Sequence, residues 1–335
     1  MSSAKNRHWL PTATQNQTVP EDLHPIIKWF EGHKEARNRF RWTLRDSLDE
    51  LLDGQRTGRW CYQHLTKTEK TYLGTAVEIN LTREFDISDG IHLDWKIDGV
   101  DVDCKFSKDI GGWEIPMEMY LCPDHGERAG KADHPALLVW MNDDKSEWAA
   151  GLIRASDELL RWKPGGEVRG YNRDNKRRIS EGAFSSIYWL WGGLQNDLPT
   201  NLLLQLPRHI RESILVPKSS GQHRVNELFR HVTQRLVNRQ VVLAVGQQDD
   251  APKRVRDARK DLRPEGFIIL GHLRTHIKIA RELGFDPPPK GAWLSVRVCE
   301  VPETDDRPKF FLHDKHWAIA RSDECGSAPE LPIKE

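Results

Sequence analysis

The sequence predicts a mixed α/β (α+β) fold in two domains, and three observations carry the prediction. Residues 91–107, IHLDWKIDGVDVDCKFS, alternate polar and apolar side chains without a break around Asp98-Gly99, the pattern of a β-hairpin. Helical spacing of apolar residues precedes it, and short continuous apolar runs of the buried-strand type follow it. Farther along, an amphipathic helical pattern is followed, after a tight turn, by a strongly basic one.

The elements follow in order. Residues 1–20 read as a flexible segment. Residues 25–52 are helical in pattern, with LRDSLDELLDG closed by Gly54. A second helix runs from Lys67 to about Asn80, with Thr66 or Thr68 as N-cap. After the hairpin, ALLVWMN reads as a buried strand and SEWAAGLIRA as a further extended element. The polar stretch KPGGEVRGYNRDNKRRISEG places a linker at 171–181, which closes a first domain of 21–170. Lys176-Arg177-Arg178 reads as ordinary linker charge, with phosphate contact as the alternative.

The second domain, 182–320, opens on FSSIYWLWGGL and NLLLQLP, with Trp189 and Trp191 as core residues. Residues 225–237 form an amphipathic helix, and VVLAVG follows. Residues 247–250 turn the chain, with Asp249 or Asp250 as N-cap and Pro252 in the first turn of the next helix. That helix carries Lys253, Arg254, Arg256, Arg259, Lys260 and Arg263, while Val255, Ala258 and Leu262 hold it to the body. Residues 267–270 make a wing or the next strand, and 321–335 a flexible tail.

Composition bounds what such a chain does. Its 335 residues are 30% charged and 38% hydrophobic, enough for two sizeable cores. No apolar run reaches the length of a membrane span, and MSSAKNRHWLPTATQNQ lacks the apolar core of a signal peptide. The five cysteines are scattered and odd in number, without a CxxC pair, so neither a disulfide framework nor a zinc site is expected. A cytoplasmic protein without a membrane partner is the expectation. The net charge is zero but uneven: residues 208–282 hold sixteen Lys and Arg against eight Asp and Glu. A basic segment in an otherwise acidic chain is a footprint of nucleic acid.

The hairpin carries the candidate chemistry. With Ile97 opposite Val100, Lys96 faces Asp101, Asp94 faces Asp103, and His92 faces Lys105. Ile91, Leu93, Trp95, Val102, Cys104 and Phe106 then share the apolar face, so the Cys104 side chain reads as packing. Two opposed carboxylates about 5 Å apart repel by roughly 3 kcal/mol at an effective dielectric near 20. A shared proton, a nearby cation or a divalent metal relieves this, and two carboxylates with open positions suit Mg²⁺ best. Lys105 adds a fixed positive charge on the same face. The competing reading is a solvated hairpin face, and Lys96 opposite Asp101 reads as such a pair, worth little.

Helix, short turn, basic helix and short strand outline a helix-turn-helix, with or without a wing. In that geometry one or two arginines reach guanine edges and the others hold phosphates. A charged surface helix is the competing reading.

Glu78 in TAVEIN, Asp94 in HLDW and Asp103-Cys104-Lys105 resemble, in order and spacing, the active site of the NaeI-like type IIE restriction endonucleases. These form a divergent branch of the PD-(D/E)XK nuclease superfamily. LRDSLDELLDG and the two-domain layout resemble that family too, and the likeness extends over most of the chain. Leu93 stands where the superfamily signature has proline, which removes no ligand.

The resemblance implies an N-terminal PD-(D/E)XK nuclease domain and a C-terminal helix-turn-helix domain like the catabolite activator protein motif. It implies a homodimer that binds two copies of a double-stranded DNA site, one cut and one an allosteric effector. The family's prototype site is GCCGGC, and a cognate DNA methyltransferase is the expected companion. Mg²⁺ would be held by Asp94, Asp103 and the Cys104 backbone carbonyl, with Glu78 completing the metal shell or positioning water. Lys105 would orient the attacking water. A non-catalytic helix-turn-helix regulator and a repair or recombination nuclease of the same superfamily are the rival readings.

Overall fold

Interrupted helical periodicity is where the chain first departs from the sequence pattern. The computed structural model describes residues 9–11, 21–120, 134–161, 176–199 and 201–332. It divides into two units, Met1–Leu51 with Cys61–Asn201, and Leu52–Trp60 with Leu202–Glu335.

In the first unit, α1 (His24–Gly32) and α2 (Ala36–Leu52) are separate helices, because Glu35 turns left-handed at φ 57° between them. Asp53, at φ 43°, stops α2 one residue before the expected Gly54. Gly54 instead begins a short helix, α3 (Gly54–Thr57), in the second unit. The helix α4 (Lys67–Phe85) starts in a capping box. The Thr66 side chain accepts from Glu69 N, and the Thr66 N–H donates to Glu69 Oε2 at 2.8 Å. It runs past residue 80 because its buried stripe, Leu73, Ala76, Val77, Leu81 and Phe85, continues at helical spacing.

The strands β1 (Ser88–Asp89), β2 (Trp95–Ile97) and β3 (Val100–Ser107) follow, then β4 (Glu114–Ile115) and a single turn, α5 (Met117–Tyr120). Next come β5 (Pro135–Asn142), β6 (Glu147–Arg154), β7 (Leu160–Arg161), β8 (Arg177–Ile179) and β9 (Tyr188–Trp189). The main sheet has the order β1-β2-β3-β5-β6-β9, with β3 and β5 parallel and the other pairs antiparallel. All eight residues of β5 are buried, which is why its sequence shows a continuous apolar run and no alternation. Trp113, Trp140 and Trp189 pack in the core of this unit. A small second sheet has the order β4-β8-β7.

Two expectations change here. Residues 176–181 of the proposed linker region belong to the first unit: Arg177 is buried, donates from Nη2 to Leu160 O, and lies over the Tyr120 ring. Residues 171–175 lie outside the described residues. The units part at Asn201–Leu202, because β9 pairs with β6 and adds the FSSIYWLWGGL segment to the first sheet. Trp189 is a core residue, as its sequence context suggests, whereas Trp191, expected in the core as well, is only half-buried. Of the segment 1–20, Leu10 is buried and Pro11 O accepts from Leu194 N, whereas 1–8 and 12–20 lie outside the described residues.

The second unit contains α3, α6 (Leu202–Gln205), α7 (Arg208–Ile214), α8 (Gly221–His231), β10 (Leu236–Asn238), α9 (Arg239–Gly246) and α10 (Ala251–Leu262). After these come β11 (Phe267–Leu270), α11 (Arg274–Glu282), β12 (Ala292–Val301), β13 (Lys309–Leu312) and β14 (Lys315–Ile319). The long strand β12 pairs antiparallel with β10, β11 and β14. Helix 225–237 is corrected: α8 ends at His231, and Leu236–Asn238 is a strand. VVLAVG is the helix α9, capped by Asn238, whose Oδ1 accepts from Val241 N. Gly54 lets α3 pack against α9, since a Cβ there would sit 2.7 Å from Ala244 Cβ.

The tail is corrected as well. Ala328 and Leu331 are buried, Ala328 N donates to Arg263 O, and Glu324 accepts from Arg307. Residues 333–335 lie outside the described residues. Among the described residues no helix is long and apolar enough to cross a membrane.

Candidate active site

The hairpin turn forms as its residue types require. Asp98 and Gly99 both take positive φ, 46° and 84°, the demand of a type I′ turn. The register Ile97↔Val100, Lys96↔Asp101, Trp95↔Val102 is the expected one. Trp95, Ile97, Val102 and Cys104 are buried on the apolar face. Trp95 Nε1 donates to Thr82 Oγ1 at 2.8 Å, and Thr82 Oγ1 donates to Glu78 O, which ties the hairpin to α4.

Beyond Trp95 the expected strand stops. Residues 91–94 form a bend, and Ile91, assigned to the apolar face, is 69% exposed. His92 therefore does not pair with Lys105. The signal was present in Asp89-Gly90, a second turn dipeptide just ahead of the alternation. Gly90 is required there: a Cβ would come 2.2 Å from Leu93 O.

The bend still brings the acids together. Asp94 Oδ2 accepts from Cys104 N at 2.9 Å, and Lys105 Nζ lies 4.0 Å from the same oxygen. Lys105 Nζ pairs with Asp103 Oδ2 at 2.5 Å, and that buried oxygen is otherwise without a hydrogen-bond partner, so it keeps acceptor capacity. Asp103 is only 4% exposed. Burial, then its hydrogen bond with Asp94, push its carboxyl up to about 8 against the pull of Lys105. Lys105 is itself raised: burial works against its charge, but Asp103 and then Asp94 outweigh it. Glu78, half-buried on α4, is raised by burial and then by Asp94. Cys104 is fully enclosed and its thiol is raised well above the ordinary value by burial, so its sulfur is packing, as expected.

Three carboxyl groups thus share one ammonium, which leaves the cluster short of positive charge. Hard oxygen donors, one of them buried and under-satisfied, fit Mg²⁺. Asp94, Asp103 and Lys105 stand together, whereas Glu78 is within electrostatic reach and not in a closed ligand set. Among the described residues no three Asp, Glu, His or Cys side chains gather as ready-made metal ligands.

The basic helix α10 sorts its six candidates. Asp250 Oδ1 accepts from Lys253 N, which makes Asp250 the cap, with Pro252 in the first turn. Lys253, Arg256, Lys260 and Arg263 are exposed and recur at helical spacing on one face. Arg254 is largely covered and lies 3.8 Å from Asp257. Arg259 is turned inward: its Nε donates to Ile269 O at 2.7 Å, and burial and then Arg256 push it down to about 10. Arg263 also reaches Glu330, at 3.4 Å. A cavity of about 450 Å³ opens beside Arg256, Arg259, Lys260 and Arg263.

Sequence reasoning missed two groups. Asp101 accepts from the amides of Ile91 and His92 through Oδ2, at 3.2 and 3.0 Å. Arg45, inside LRDSLDELLDG, is buried between Asp143 and Asp49 at 2.6 and 2.5 Å. The crowding of Asp and Arg in that amphipathic helix was the only hint of the second.

Comparison with known proteins places the chain among restriction enzymes. The profile of a family described as restriction endonuclease NaeI matches residues 31–327. The type II restriction enzyme NaeI of Lentzea aerocolonigenes is 43% identical over 306 residues, which cover 89% of this chain and 90% of that protein.

Proposed function

The chain belongs to the NaeI family of restriction endonucleases, and from that premise we propose how it cuts: Asp94 and Asp103 hold Mg²⁺ while Lys105 guides water onto a phosphodiester of double-stranded DNA. Membership makes it a site-specific type II restriction endonuclease. The observation that supports the catalytic assignment is the acid pair on either side of Lys105 Nζ.

Hydrolysis requires an in-line nucleophile and neutralisation of charge on the phosphate in the transition state. When bound, Mg²⁺ supplies Lewis acidity toward water and the phosphate oxygens. The residues supply the rest. Cys104 N fixes the Asp94 carboxylate, so that oxygen is oriented before substrate arrives. The under-satisfied Asp103 oxygen and the Cys104 carbonyl complete the protein's share of the donor set. Lys105, kept charged by both acids, donates to the attacking water or to a phosphate oxygen; as an ammonium it orients and does not abstract. Glu78 positions water at the edge of the site.

We assign the first unit to the PD-(D/E)XK class, because the hairpin bearing the acids runs into a strand parallel to β5 in a mixed sheet. We assign the second unit to a helix-turn-helix of the catabolite activator type. There α9, the turn at 247–250 and α10 precede the strand β11, and Lys253, Arg256 and Lys260 face solvent. In this reading the second unit binds another copy of the site as allosteric effector, the active form is a cytoplasmic homodimer paired with a cognate methyltransferase, and the site is GCCGGC.

The test is a digest of mapped plasmid with Mg²⁺ or with chelator, with the cut ends sequenced. Discrete Mg²⁺-dependent fragments ending at one short site are expected. An uncut plasmid would favour a regulator, and diffuse or mismatch-dependent products a repair nuclease.

A further inference from the structure

We propose that Asp101 is the positioning residue for Asp94, acting through the backbone of residues 90–94. This rests on the reading of Asp94 as a Mg²⁺ ligand. By register Asp101 is the cross-strand neighbour of Lys96, a place where a carboxylate is ordinarily half of a weak surface pair. Its Oδ2 instead accepts from two successive amides, Ile91 N and His92 N.

Those amides belong to the bend that carries Asp94. The bend has no ladder partner, since β2 begins only at Trp95. Ile91 is too exposed to anchor it by burial. Three ties remain. Gly90 N donates to Asp94 O at 3.3 Å and closes the loop. Asp101 clamps its middle with two charge-assisted bonds. At its end Asp94 Oδ2 meets Cys104 N. Asp101 and Cys104 both lie on β3, so one rigid strand holds the loop at two points and sets where the Asp94 carboxylate stands relative to Asp103. A displacement of about 1 Å at a reacting centre costs roughly a hundred-fold in rate, so this clamp matters to turnover.

The experiment compares wild type, Asp101→Ala, Asp101→Asn and Lys96→Ala. Mg²⁺ binding is followed by calorimetry without DNA, cleavage by the split between kcat and KM, and backbone order by amide hydrogen exchange. In wild type the Ile91 and His92 amides should be protected despite their exposed position. Asp101→Ala should weaken Mg²⁺ binding by about ten-fold and lower kcat with little change in KM for DNA. Asp101→Asn, whose side-chain oxygen still accepts, should recover most of both, and Lys96→Ala should match wild type. Unprotected amides at 91 and 92 in wild type would overturn the proposal without any variant. So would Asp101→Ala with wild-type Mg²⁺ affinity, or Asp101→Asn as impaired as alanine, since charge and not placement would then be at work. Wild-type protein that neither binds Mg²⁺ nor cleaves would remove the metal reading beneath both.

Discussion

The two charged regions of this protein treat their charges in opposite ways. In the first unit Asp103 is buried, Lys105 is pressed against it, and the carboxyl is pushed up to about 8. In the second, Lys253, Arg256 and Lys260 stand in solvent on one face of α10. Burial turns the acids into a site of high demand, since desolvation raises the cost of every unbalanced charge. Exposure leaves the basic residues ready for long-range attraction to a polyanion, which salt screens. In the proposed reading one region serves the chemistry and the other the capture of DNA.

The sharpest break would come at Asp103. Asp103→Ala should lower Mg²⁺-dependent cleavage by roughly a thousand-fold while DNA binding persists, as judged by plasmid digestion beside gel-shift titration. A cleaving mutant would end the contrast. The basic face is tested by replacing Lys253, Arg256 and Lys260 together with alanine. Binding of a second DNA copy should weaken, and the slope of log affinity against log salt should fall by about three, with Mg²⁺ affinity untouched. Arg254 and Arg259 are poorer choices, because one is covered and the other supports β11.

A pH titration sharpens the comparison further. The Asp103 pKa is raised from an ordinary 3.8 to about 8, so the folded metal-free protein binds this proton more tightly than the unfolded chain does. Its contribution to stability is complete below about pH 4 and is lost as pH rises through about 8. Thermal melts should therefore show Mg²⁺ raising the melting temperature more at pH 8 than at pH 6, and Asp103→Asn should flatten the difference. The smallest effect is expected at Asp250→Ala, which removes the α10 cap and about 1 kcal/mol of stability in denaturant unfolding. It should leave Mg²⁺ binding unchanged.

Local chemistry was legible in the sequence wherever one residue type dictates one backbone shape. Asp98-Gly99 specified the turn and hence the register, and the Asp249-Asp250 pair with Pro252 marked the start of α10 to within a residue. Legibility failed where tertiary partners decide. The alternation suggested a strand through Ile91, but Asp89-Gly90 turns the chain and Asp101 holds the bend. Lys176-Arg177-Arg178 looks like linker, but the Arg177 guanidinium is satisfied by Leu160 O and the Tyr120 ring. The acids of the site were visible; which neighbours would lock them was not, because those contacts join residues whose separation carries no periodic signal.

The excursion of Leu52–Trp60 into the second unit bears on how this protein can be taken apart. A fragment cut at residue 202 would lose α3 and bare the surface of α9 that Gly54 is shaped to meet. The C-terminal half is therefore no autonomous cassette: transplanting it onto another enzyme calls for both stretches of polypeptide, threaded through the host twice.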